Sequence, residues 1–392
     1  MLTSLRLVNF KAFADQTILL RPLTLLSGLN GMGKSSVIQA LLLLRQNFET
    51  RLLLNGKVSL NGSLVHLGLG RDVLFENASD NLASIVLDFD ERIVFEPGDS
   101  AMEFAFECVP DLDVLSLQNY DDNYADSMLE LARLRNMSMI VSGLFSTNFQ
   151  YLQAERLGPR TSLPMSAYNV VDQHQLGTQG EYTAHFLAVF GEEKILKPSL
   201  FHVGWTLSQE PTLHELVELW MGEISPGTRI NITMMPDIDA ARFSYSFTRS
   251  ESVTRDFRPT NVGFGISYTL PVLVALLSAD PGALVLLENP EAHLHPHGQV
   301  KMGELIARAA DAGIQVIVET HSDHVINGIR IAVKKGLVEP DAVALHFFQR
   351  PLDDDGTKGV EIRTPQLDEF GKLDFRPEGF FDQFDRSLDD LL

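Results

Sequence analysis

The chain has 392 residues, of which 45% are hydrophobic and 21% are charged, a balance typical of a folded globular protein. Its net charge of −21 argues against a surface that attracts nucleic acid on all sides, although a local basic groove is compatible with it. No apolar run approaches the roughly 18 residues that cross a bilayer, residues 1–11 lack the order of a signal peptide, and the single cysteine excludes an intrachain disulfide. We therefore expect a cytoplasmic protein with no membrane partner.

Two strands are predicted first, at residues 5–13 and 18–26, and they lead into a glycine-rich loop. Residues 28–36 of this loop, Gly-Leu-Asn-Gly-Met-Gly-Lys-Ser-Ser, fit the phosphate-binding pattern G-x-x-x-x-G-K-[ST]. A helix is predicted directly afterwards, over residues 37–48. Strand, loop and helix in this order let backbone N–H groups surround phosphates, so the sequence predicts that the chain binds a nucleoside triphosphate.

The residue types of the loop suit this role. Lys34 is long enough to reach the terminal phosphates, and the hydroxyl of Ser35 is a ligand for Mg²⁺. Glycine at positions 31 and 33 allows backbone angles that a Cβ would obstruct. The predicted nucleotide-binding residues of the loop are Asn30, Gly31, Gly33, Lys34, Ser35 and Ser36.

The middle of the chain is less regular. Turn-forming pairs break residues 52–109 into short apolar runs, which predicts antiparallel strands. An acidic loop at residues 110–126 comes next. The further predicted elements are helices at 126–137 and 213–222 and strands at 149–154, 228–234 and 242–248.

From residue 263 onward, helices alternate with buried strands. The predicted helices are 268–279, 297–310 and 323–335, and the predicted strands are 283–287, 314–319 and 342–348. This alternation predicts parallel strands joined by crossover helices. We interpret residues 1–159 and 256–392 as the two halves of one nucleotide-binding domain and residues 160–255 as an inserted lobe.

Two acids and a histidine follow buried strands of the second half. Glu288 ends the strand predicted at 283–287, where a carboxylate can hold Mg²⁺ directly or through water, and Glu291 is a second acid close by. His321 ends the next strand, where it could contact a γ-phosphate or the attacking water. Ser322 is a natural N-cap for the helix after it. Capping roles alone would also explain these residues.

A second phosphate contact is predicted at the start of the helix before Glu288. The helix is expected to begin near Ser267, because Pro271 then falls within its first turn, where a missing N–H costs little. A serine cap flanked by glycines is a suitable surface for phosphate, particularly across a dimer.

The order of these motifs resembles the ABC-type head ATPases of the SMC, RecF and OLD group. Within that group the chain is similar to a phage-defence-associated bacterial ATPase family that shares the run Glu-Asn-Pro-Glu-Ala-His-Leu-His-Pro. The segments that carry the resemblance are residues 7–13, 28–36, 263–267, 288–296, 320–324 and 379–382. The implied fold class is α/β, a P-loop NTPase of ABC type with a mixed or parallel sheet, crossover helices, an antiparallel β subdomain and an inserted lobe.

The resemblance also implies how the site works. Members of the group bind two ATP molecules, with Mg²⁺, between two heads, so a homodimer is expected. Gly265 and Ser267 would contact the ATP of the other subunit, Lys34 and Ser35 would hold phosphate and Mg²⁺, and His321 would sense the γ-phosphate. Gln153, at the end of a predicted strand, is the residue we assign to the Q-loop that assists the metal.

The chain departs from the group's pattern at the general base. The group usually ends its Walker B strand with Asp-Glu, whereas positions 288 and 289 are Glu and Asn here. An amide cannot take a proton from water, so either Glu288 or Glu291 serves as the base, or turnover is slow. A Leu-Ser-Gly-Gly-Gln signature is also missing.

Other metal sites are suggested by short patterns. The run from Glu319 to His324 nearly matches the His-x-His-x-Asp-His motif of metallo-β-lactamase hydrolases, but its first ligand is a glutamate. His293, His295 and His297 alternate, yet Pro296 and the following helix break a common face, which favours a loop at a dimer interface. Residues 353–355, three aspartates before a glycine, favour an acidic turn over a nuclease metal cluster.

The leading functional hypothesis is an ATP-dependent switch that gates a separate effector, a nuclease or toxin, in bacterial defence against phage. Too few residues follow His321 for a nuclease module within the chain itself. The alternative is a RecF-like DNA-binding clamp in DNA repair, which a steep salt dependence of DNA binding would favour. A transporter subunit ranks third.

Overall fold

The structure, a computed structural model, describes residues 1–90, 101–118, 120–121, 124–126, 128–129, 143–249, 252–350, 359–377 and 379. The chain divides into two compact units. The first comprises Met1–Thr147, Val343–Gln366 and Asp374–Leu392, and the second comprises Asn148–Ala342 and Leu367–Leu373. Residues 160–255 thus belong to the same unit as the elements that follow them up to Ala342, and their assignment to a separate lobe stays a prediction.

The first unit contains an antiparallel sheet and a short parallel pair. Its antiparallel strands are, in spatial order, Phe13–Leu19, Leu2–Phe10, Leu82–Phe89 and Ala101–Glu107. Leu23–Gly28 pairs in parallel with Val343–Gln349, which pairs in antiparallel with Glu361–Arg363. Lys57–Ser59 pairs with Val114–Ser116, and the helices are Lys34–Glu49 and Gly70–Val73. The predicted antiparallel β region is confirmed.

The two strands predicted before the phosphate loop are three in the structure. Phe10 pairs with Phe13 across a tight turn, and Lys11 in that turn has a left-handed φ of 52°, which ends the first strand. Pro22 lacks the N–H that a continuous strand needs, so the second predicted strand divides into Phe13–Leu19 and Leu23–Gly28. The sequence pattern missed both breaks because apolar residues flank each of them closely, Phe10 and Phe13 at the first and Leu20 and Leu23 at the second.

The second unit has a parallel sheet at its centre. Leu284–Glu288 lies between Phe149–Leu152 and Gln315–Glu319, and pairs in parallel with both. Its residues Leu284 to Leu287 are fully buried, as expected for a parallel strand covered on both faces. The helices are Thr183–Phe190, Leu213–Ile224, Phe264–Ser278, Pro296–Asp311 and Asp323–Lys334, and the antiparallel strands are Leu163–Pro164, Thr228–Met235, Ala240–Arg249 and Ser252–Val253. The predicted mixed α/β fold is confirmed.

The helix Asp323–Lys334 begins as predicted. The Ser322 hydroxyl accepts a hydrogen bond from the backbone N–H of Val325 at 3.1 Å, and Lys334 lies in the last turn, where it complements the helix dipole. The predicted serine cap is confirmed.

The helix that precedes Glu288 begins earlier than predicted. It spans Phe264–Ser278 with Gly263 as its N-cap, so the predicted start near Ser267 is wrong, and Pro271 lies in the helix interior. An interior proline costs about 3 kcal/mol. The Phe264 ring packs on Tyr268 with the ring centroids 5.3 Å apart, a contact that extends the helix toward its N-terminus and offsets part of this cost.

Several predicted features fall outside the described residues. These are most of the helix predicted at 126–137, the aspartate turn at 353–355 and the tail segment 379–382 except Gly379. Among the described residues, no helix is long and apolar enough to cross a membrane.

Candidate active site

The phosphate loop of the first unit has the backbone that its glycines predict. Gly28, Gly31 and Gly33 have positive φ angles of 127°, 75° and 82°. A Cβ on Gly28 would lie 2.2 Å from the carbonyl oxygen of Phe348, and one on Gly33 would lie 2.9 Å from the Phe13 ring. Glycine is therefore required at both positions by close contacts as well as by the backbone angle.

Lys34 is folded back onto the loop that precedes it. Its ammonium donates hydrogen bonds to the carbonyl oxygens of Gly28 at 3.0 Å and Leu29 at 2.7 Å, and the residue is only 3% exposed. Ser35 is exposed, and the first turn of the helix Lys34–Glu49 contains no acidic residue. This loop therefore presents a lysine, an exposed hydroxyl and a helix N-terminus that does not repel an anion.

In the second unit, neutral donors hold the carboxylate of Glu288. Its Oε1 accepts a hydrogen bond from the Tyr151 hydroxyl at 2.9 Å, and its Oε2 accepts one from the backbone N–H of Ala154 at 3.1 Å. Burial, together with the nearby charge of Glu288, raises the pKa of the Tyr151 hydroxyl. The Tyr151 hydroxyl therefore stays protonated and donates to Glu288, and both oxygens of Glu288 are fixed in position.

Arg156 reaches the backbone of the same strand end. Its guanidinium donates 2.7 Å hydrogen bonds to the carbonyl oxygens of Glu288 and Asn289. The residue is 3% exposed, and burial lowers its pKa to about 10, against the opposing influence of Tyr268 and the two nearby glutamates. At neutral pH the guanidinium remains charged, because this pKa lies well above 7.

Asn289 has a left-handed backbone with a φ of 44°. Its N–H donates to the carbonyl oxygen of Glu319 at 2.8 Å, while its side-chain Oδ1 is buried and accepts no hydrogen bond in the described part of the chain. Asparagine adopts this conformation more readily than other residues that carry a Cβ. The local backbone thus accounts for an asparagine at position 289.

Glu291 and His321 come together through the backbone. Oε1 of Glu291 accepts a hydrogen bond from the N–H of His321 at 3.0 Å. Oε2 of Glu291 is buried and has no hydrogen-bond partner among the described residues. The His321 residue is exposed at the end of its strand. The structure therefore brings the predicted residues Glu291 and His321 into direct contact.

The helix start at Gly265 packs against the loop that follows Glu288. A Cβ on Gly265 would lie 2.8 Å from the carbonyl oxygen of His293, and the His293 ring lies 4.5 Å from Phe264 and 4.7 Å from Tyr268. Ser267 differs from its prediction, because its Oγ is buried and faces a cavity lined also by Tyr245. Its predicted contact with nucleotide would require the side chain to turn outward.

The side chain of Gln153 makes a local hydrogen bond. Its amide donates to the carbonyl oxygen of Glu155 at 3.3 Å, within the same short segment. The assignment of Gln153 to the metal stays a prediction. In the described ranges, no three His, Cys, Asp or Glu side chains form a metal cluster. Within the rival hydrolase motif, His324 lies 3.6 Å from the carboxylate of Asp323.

Three parts of the chain match known family models. Residues 1–155 match the family described as "AAA ATPase domain", residues 159–327 match "AAA domain, putative AbiEii toxin, Type IV TA system", and residues 338–391 match "Protein of unknown function (DUF3696)". No curated protein sequence matches the chain.

Solved structures show the fold. An Smc head bound to the C-winged helix domain of ScpA superposes with a TM-score of 0.55 at 14% identity, over 94% of this chain and 98% of the other. The chain has the fold of an Smc head. An Smc head from Pyrococcus furiosus bound to the C-terminal domain of ScpA gives 0.49 at 11% identity over 100% and 99%. The SMC head domain from Thermotoga maritima gives 0.42 at 14% over 93% and 98%.

The carboxylates of the second unit fit a magnesium ion. Mg²⁺ prefers oxygen ligands, and the carboxylate of Glu288 is held in position by Tyr151 and Ala154. Oε2 of Glu291 is an additional carboxylate oxygen, buried without a donor. A buried oxygen without a hydrogen-bond donor costs free energy, and a bound cation or water at this oxygen would remove that cost.

Sequence reasoning missed three residues of the acidic site. Tyr151 and Arg156 contact Glu288 from more than a hundred residues away along the chain, and Tyr268 contacts Arg156 across a similar separation. The sequence signal for Arg156 was the charged pair Glu155-Arg156 after the strand predicted at 149–154. No local pattern names its partners, because these contacts exist only after the strands Phe149–Leu152 and Leu284–Glu288 have paired.

The left-handed backbone of Asn289 gives a stability prediction. We expect Asn289→Gly to be more stable than Asn289→Ala by about 1 kcal/mol, because only alanine is strained at a positive φ. At Asn327, in the middle of the helix Asp323–Lys334, the same pair should show the opposite order by about 1 kcal/mol. Urea unfolding of the four variants measures both differences, and the same sign at both positions would contradict the assigned backbone.

Proposed function

We propose that the chain is a cytoplasmic ATPase head that binds Mg²⁺ and ATP, dimerises around the nucleotide and hydrolyses it. The observation that supports this most directly is the phosphate loop, in which Lys34 and an exposed Ser35 follow three glycines of positive φ. Nucleotide contacts are assigned to Asn30, Gly31, Gly33, Lys34, Ser35 and Ser36. Lys34, now bonded to loop carbonyls, exchanges these partners for phosphate oxygens.

The acids have different roles in this proposal. Glu288 is held by Tyr151 and Ala154 and would hold Mg²⁺, which neutralises charge on the phosphates. Glu291 is the general base, because its Oε2 has an oxygen lone pair that no described residue uses. His321 contacts the γ-phosphate through its exposed ring and positions Glu291 through its backbone N–H.

The second subunit contacts nucleotide through the start of the helix Phe264–Ser278. Gly265 and Ser267 are the assigned residues, and two exposed aromatic side chains, Phe264 and His293, lie beside them. Phe264 is 46% exposed, and its ring packs on that of the exposed His293, so the two present a joint aromatic surface. The partner we assign to this surface is a second copy of the chain.

ATP-dependent dimerisation is the direct test. With Mg²⁺ and a slowly hydrolysed ATP analogue, we expect the mass in sedimentation velocity to double from 43.6 kDa. Phe264→Asp should abolish this dimer, because it places a charge in an apolar contact. The matched control is Phe370→Asp, at another exposed phenylalanine of the same unit, which should dimerise normally. Equal behaviour of the two variants, or a nucleotide-independent mass, contradicts the proposal.

The biological role that we propose is a switch whose ATP state gates a separate effector protein, a nuclease or toxin, in defence against phage. An Smc head in the same fold binds a protein partner, a winged helix domain of ScpA, and the family matched at residues 159–327 is described with a toxin system. The net charge of −21 favours a protein partner over DNA. Reconstitution with the product of the adjacent gene tests this role, since effector activity should depend on Lys34.

A further inference from the structure

We propose that Arg156 is a positioning residue for ATP hydrolysis, which joins the helix Phe264–Ser278 to the strand end that presents Glu288. This inference rests on the proposed function, because it concerns how the same site is organised. Arg156 does not itself contact nucleotide in this proposal. It acts by fixing the backbone from which Glu288 and Glu291 project.

Arg156 bonds to three separate segments at once. Its guanidinium donates to the carbonyl oxygens of Glu288 and Asn289 at 2.7 Å each and to those of Gln153 and Tyr268 at 3.1 Å each. Charge-assisted hydrogen bonds of this kind are about twice as strong as neutral ones. All four acceptors are main-chain atoms, so the contacts fix backbone positions.

Tyr268 strengthens the connection from the helix side. The guanidinium of Arg156 lies 4.8 Å from the centre of the Tyr268 ring. The Tyr268 hydroxyl accepts from the N–H of Arg156 at 3.1 Å and donates to the carbonyl oxygen of Ala154 at 3.1 Å. Ala154 is the residue whose N–H holds Glu288. The helix therefore reaches the carboxylate through Arg156 and through the Ala154 backbone.

Asn289 is a residue whose backbone Arg156 holds in place. Its left-handed φ of 44° is an uncommon conformation that persists only when its surroundings determine it. Arg156 holds its carbonyl oxygen, and the carbonyl of Glu319 holds its N–H. The direction of the chain toward Glu291 depends on this residue, and a displacement of about 1 Å at a reacting group lowers a rate about 100-fold.

Lysine cannot replace this arginine. A guanidinium presents five donors in a rigid plane, whereas an ammonium is a single point of charge, so Arg156→Lys keeps the charge and loses the simultaneous contacts. The matched control is Arg308→Lys in the same unit. Arg308 is also buried, lies 5.9 Å from the centre of the Trp220 ring and bonds to the carbonyl of Ser199. Its carboxylate partner is Glu304, away from the strand end that presents Glu288.

The test compares ATP affinity, turnover at saturating ATP and melting temperature for wild type, Arg156→Lys and Arg308→Lys. We expect Arg156→Lys to bind ATP within about threefold of wild type and to lose 10- to 100-fold in kcat, while Arg308→Lys keeps both. A merely structural role would lower the melting temperature of both variants without separating kcat from affinity. A kcat for Arg156→Lys within twofold of Arg308→Lys, or an affinity that falls in step with kcat, overturns the inference.

If Arg156→Lys does not fold, Tyr268→Phe provides a second test of the role of Arg156. It keeps the ring and removes the hydroxyl that joins Arg156 to Ala154, so kcat should fall at least threefold with unchanged ATP affinity, and an unchanged kcat overturns the inference. Lys34→Ala distinguishes a failure of the proposed function from a failure of this inference. If wild-type hydrolysis does not require Lys34, the proposed function fails and this inference with it; if hydrolysis requires Lys34 but not Arg156, only this inference fails.

Discussion

Replacing Lys34 by alanine is expected to weaken ATP binding at least about 100-fold and to reduce hydrolysis to background. The ammonium of Lys34 lies against the loop carbonyls of Gly28 and Leu29 at 3.0 and 2.7 Å, close to where the phosphates bind in a loop of this kind. Each charge-assisted hydrogen bond lost is worth about 1.5–3 kcal/mol, and roughly 2.7 kcal/mol corresponds to 100-fold in affinity. Calorimetric titration with ATP and a phosphate-release assay measure the two effects.

The lysine also stabilises the empty loop, so folding has to be checked alongside binding. Lys34→Met keeps most of the aliphatic side chain and removes only the charge, and it should bind ATP as weakly as Lys34→Ala. Lys57→Ala is the matched control, because Lys57 is an exposed lysine of the same unit. Undiminished hydrolysis in both Lys34 variants, with normal melting temperatures, would refute the ATPase assignment.

Replacing Glu291 by glutamine is expected to lower kcat by about 100-fold or more, as for other general bases, with little change in ATP affinity. Glutamine keeps an oxygen for the N–H of His321, which Glu291 accepts at 3.0 Å, so the fold should persist. Its other terminal atom becomes an amide nitrogen, which cannot take a proton. Oε2 of Glu291 has no exposed surface in this structure, so we expect the loop to admit water once nucleotide is bound.

Glu288→Gln should behave differently. Both oxygens of Glu288 accept hydrogen bonds, from Tyr151 and Ala154. In the glutamine variant the amide oxygen can still accept from Ala154, and the amide nitrogen can donate to Tyr151 only if that hydroxyl turns to accept. Two charge-assisted hydrogen bonds thus become neutral ones, which are about half as strong, and we expect a lower melting temperature together with the loss of activity. The two variants are compared by thermal unfolding, ATP titration and single-turnover hydrolysis.

The position of the base is then decided by three outcomes. Wild-type hydrolysis by Glu291→Gln would exclude Glu291, and an unchanged melting temperature for Glu288→Gln would contradict the hydrogen bonds at Glu288. Asn289→Glu puts a carboxylate at the group's usual base position. We expect no recovery when it is added to Glu291→Gln, because a φ of 44° directs this side chain into the buried interior.

The elements that the sequence predicted best are those with a local physical cause. The glycine pattern of residues 28–36 predicts positive φ angles because only glycine adopts them without strain, and three of its glycines have them. The unbroken apolar run before Glu288 predicts a strand buried on both faces, and Ser322 predicts a helix start because its hydroxyl satisfies a free N–H. Each of these signals involves residues only a few positions apart.

The start of the helix Phe264–Ser278 shows where local reasoning stops. Pro271 alone indicates a start near Ser267, because proline avoids a helix interior. The packing of Phe264 against Tyr268 and His293 favours an earlier start, and His293 lies in a loop that follows a different strand. The packing of residues that are distant in the sequence therefore overrides the preference of proline for a helix start.

The sequence by itself determined that this chain has a phosphate loop, parallel strands that end in acids, and a histidine after the last of them. Spacing and side-chain chemistry were enough for these features because each forms within one short segment. Only the tertiary structure decided that Glu288 is held by Tyr151 and Ala154, that Asn289 is left-handed, and that Arg156 joins a helix to the acids. These contacts depend on the pairing of strands more than a hundred residues apart, which no local periodicity records.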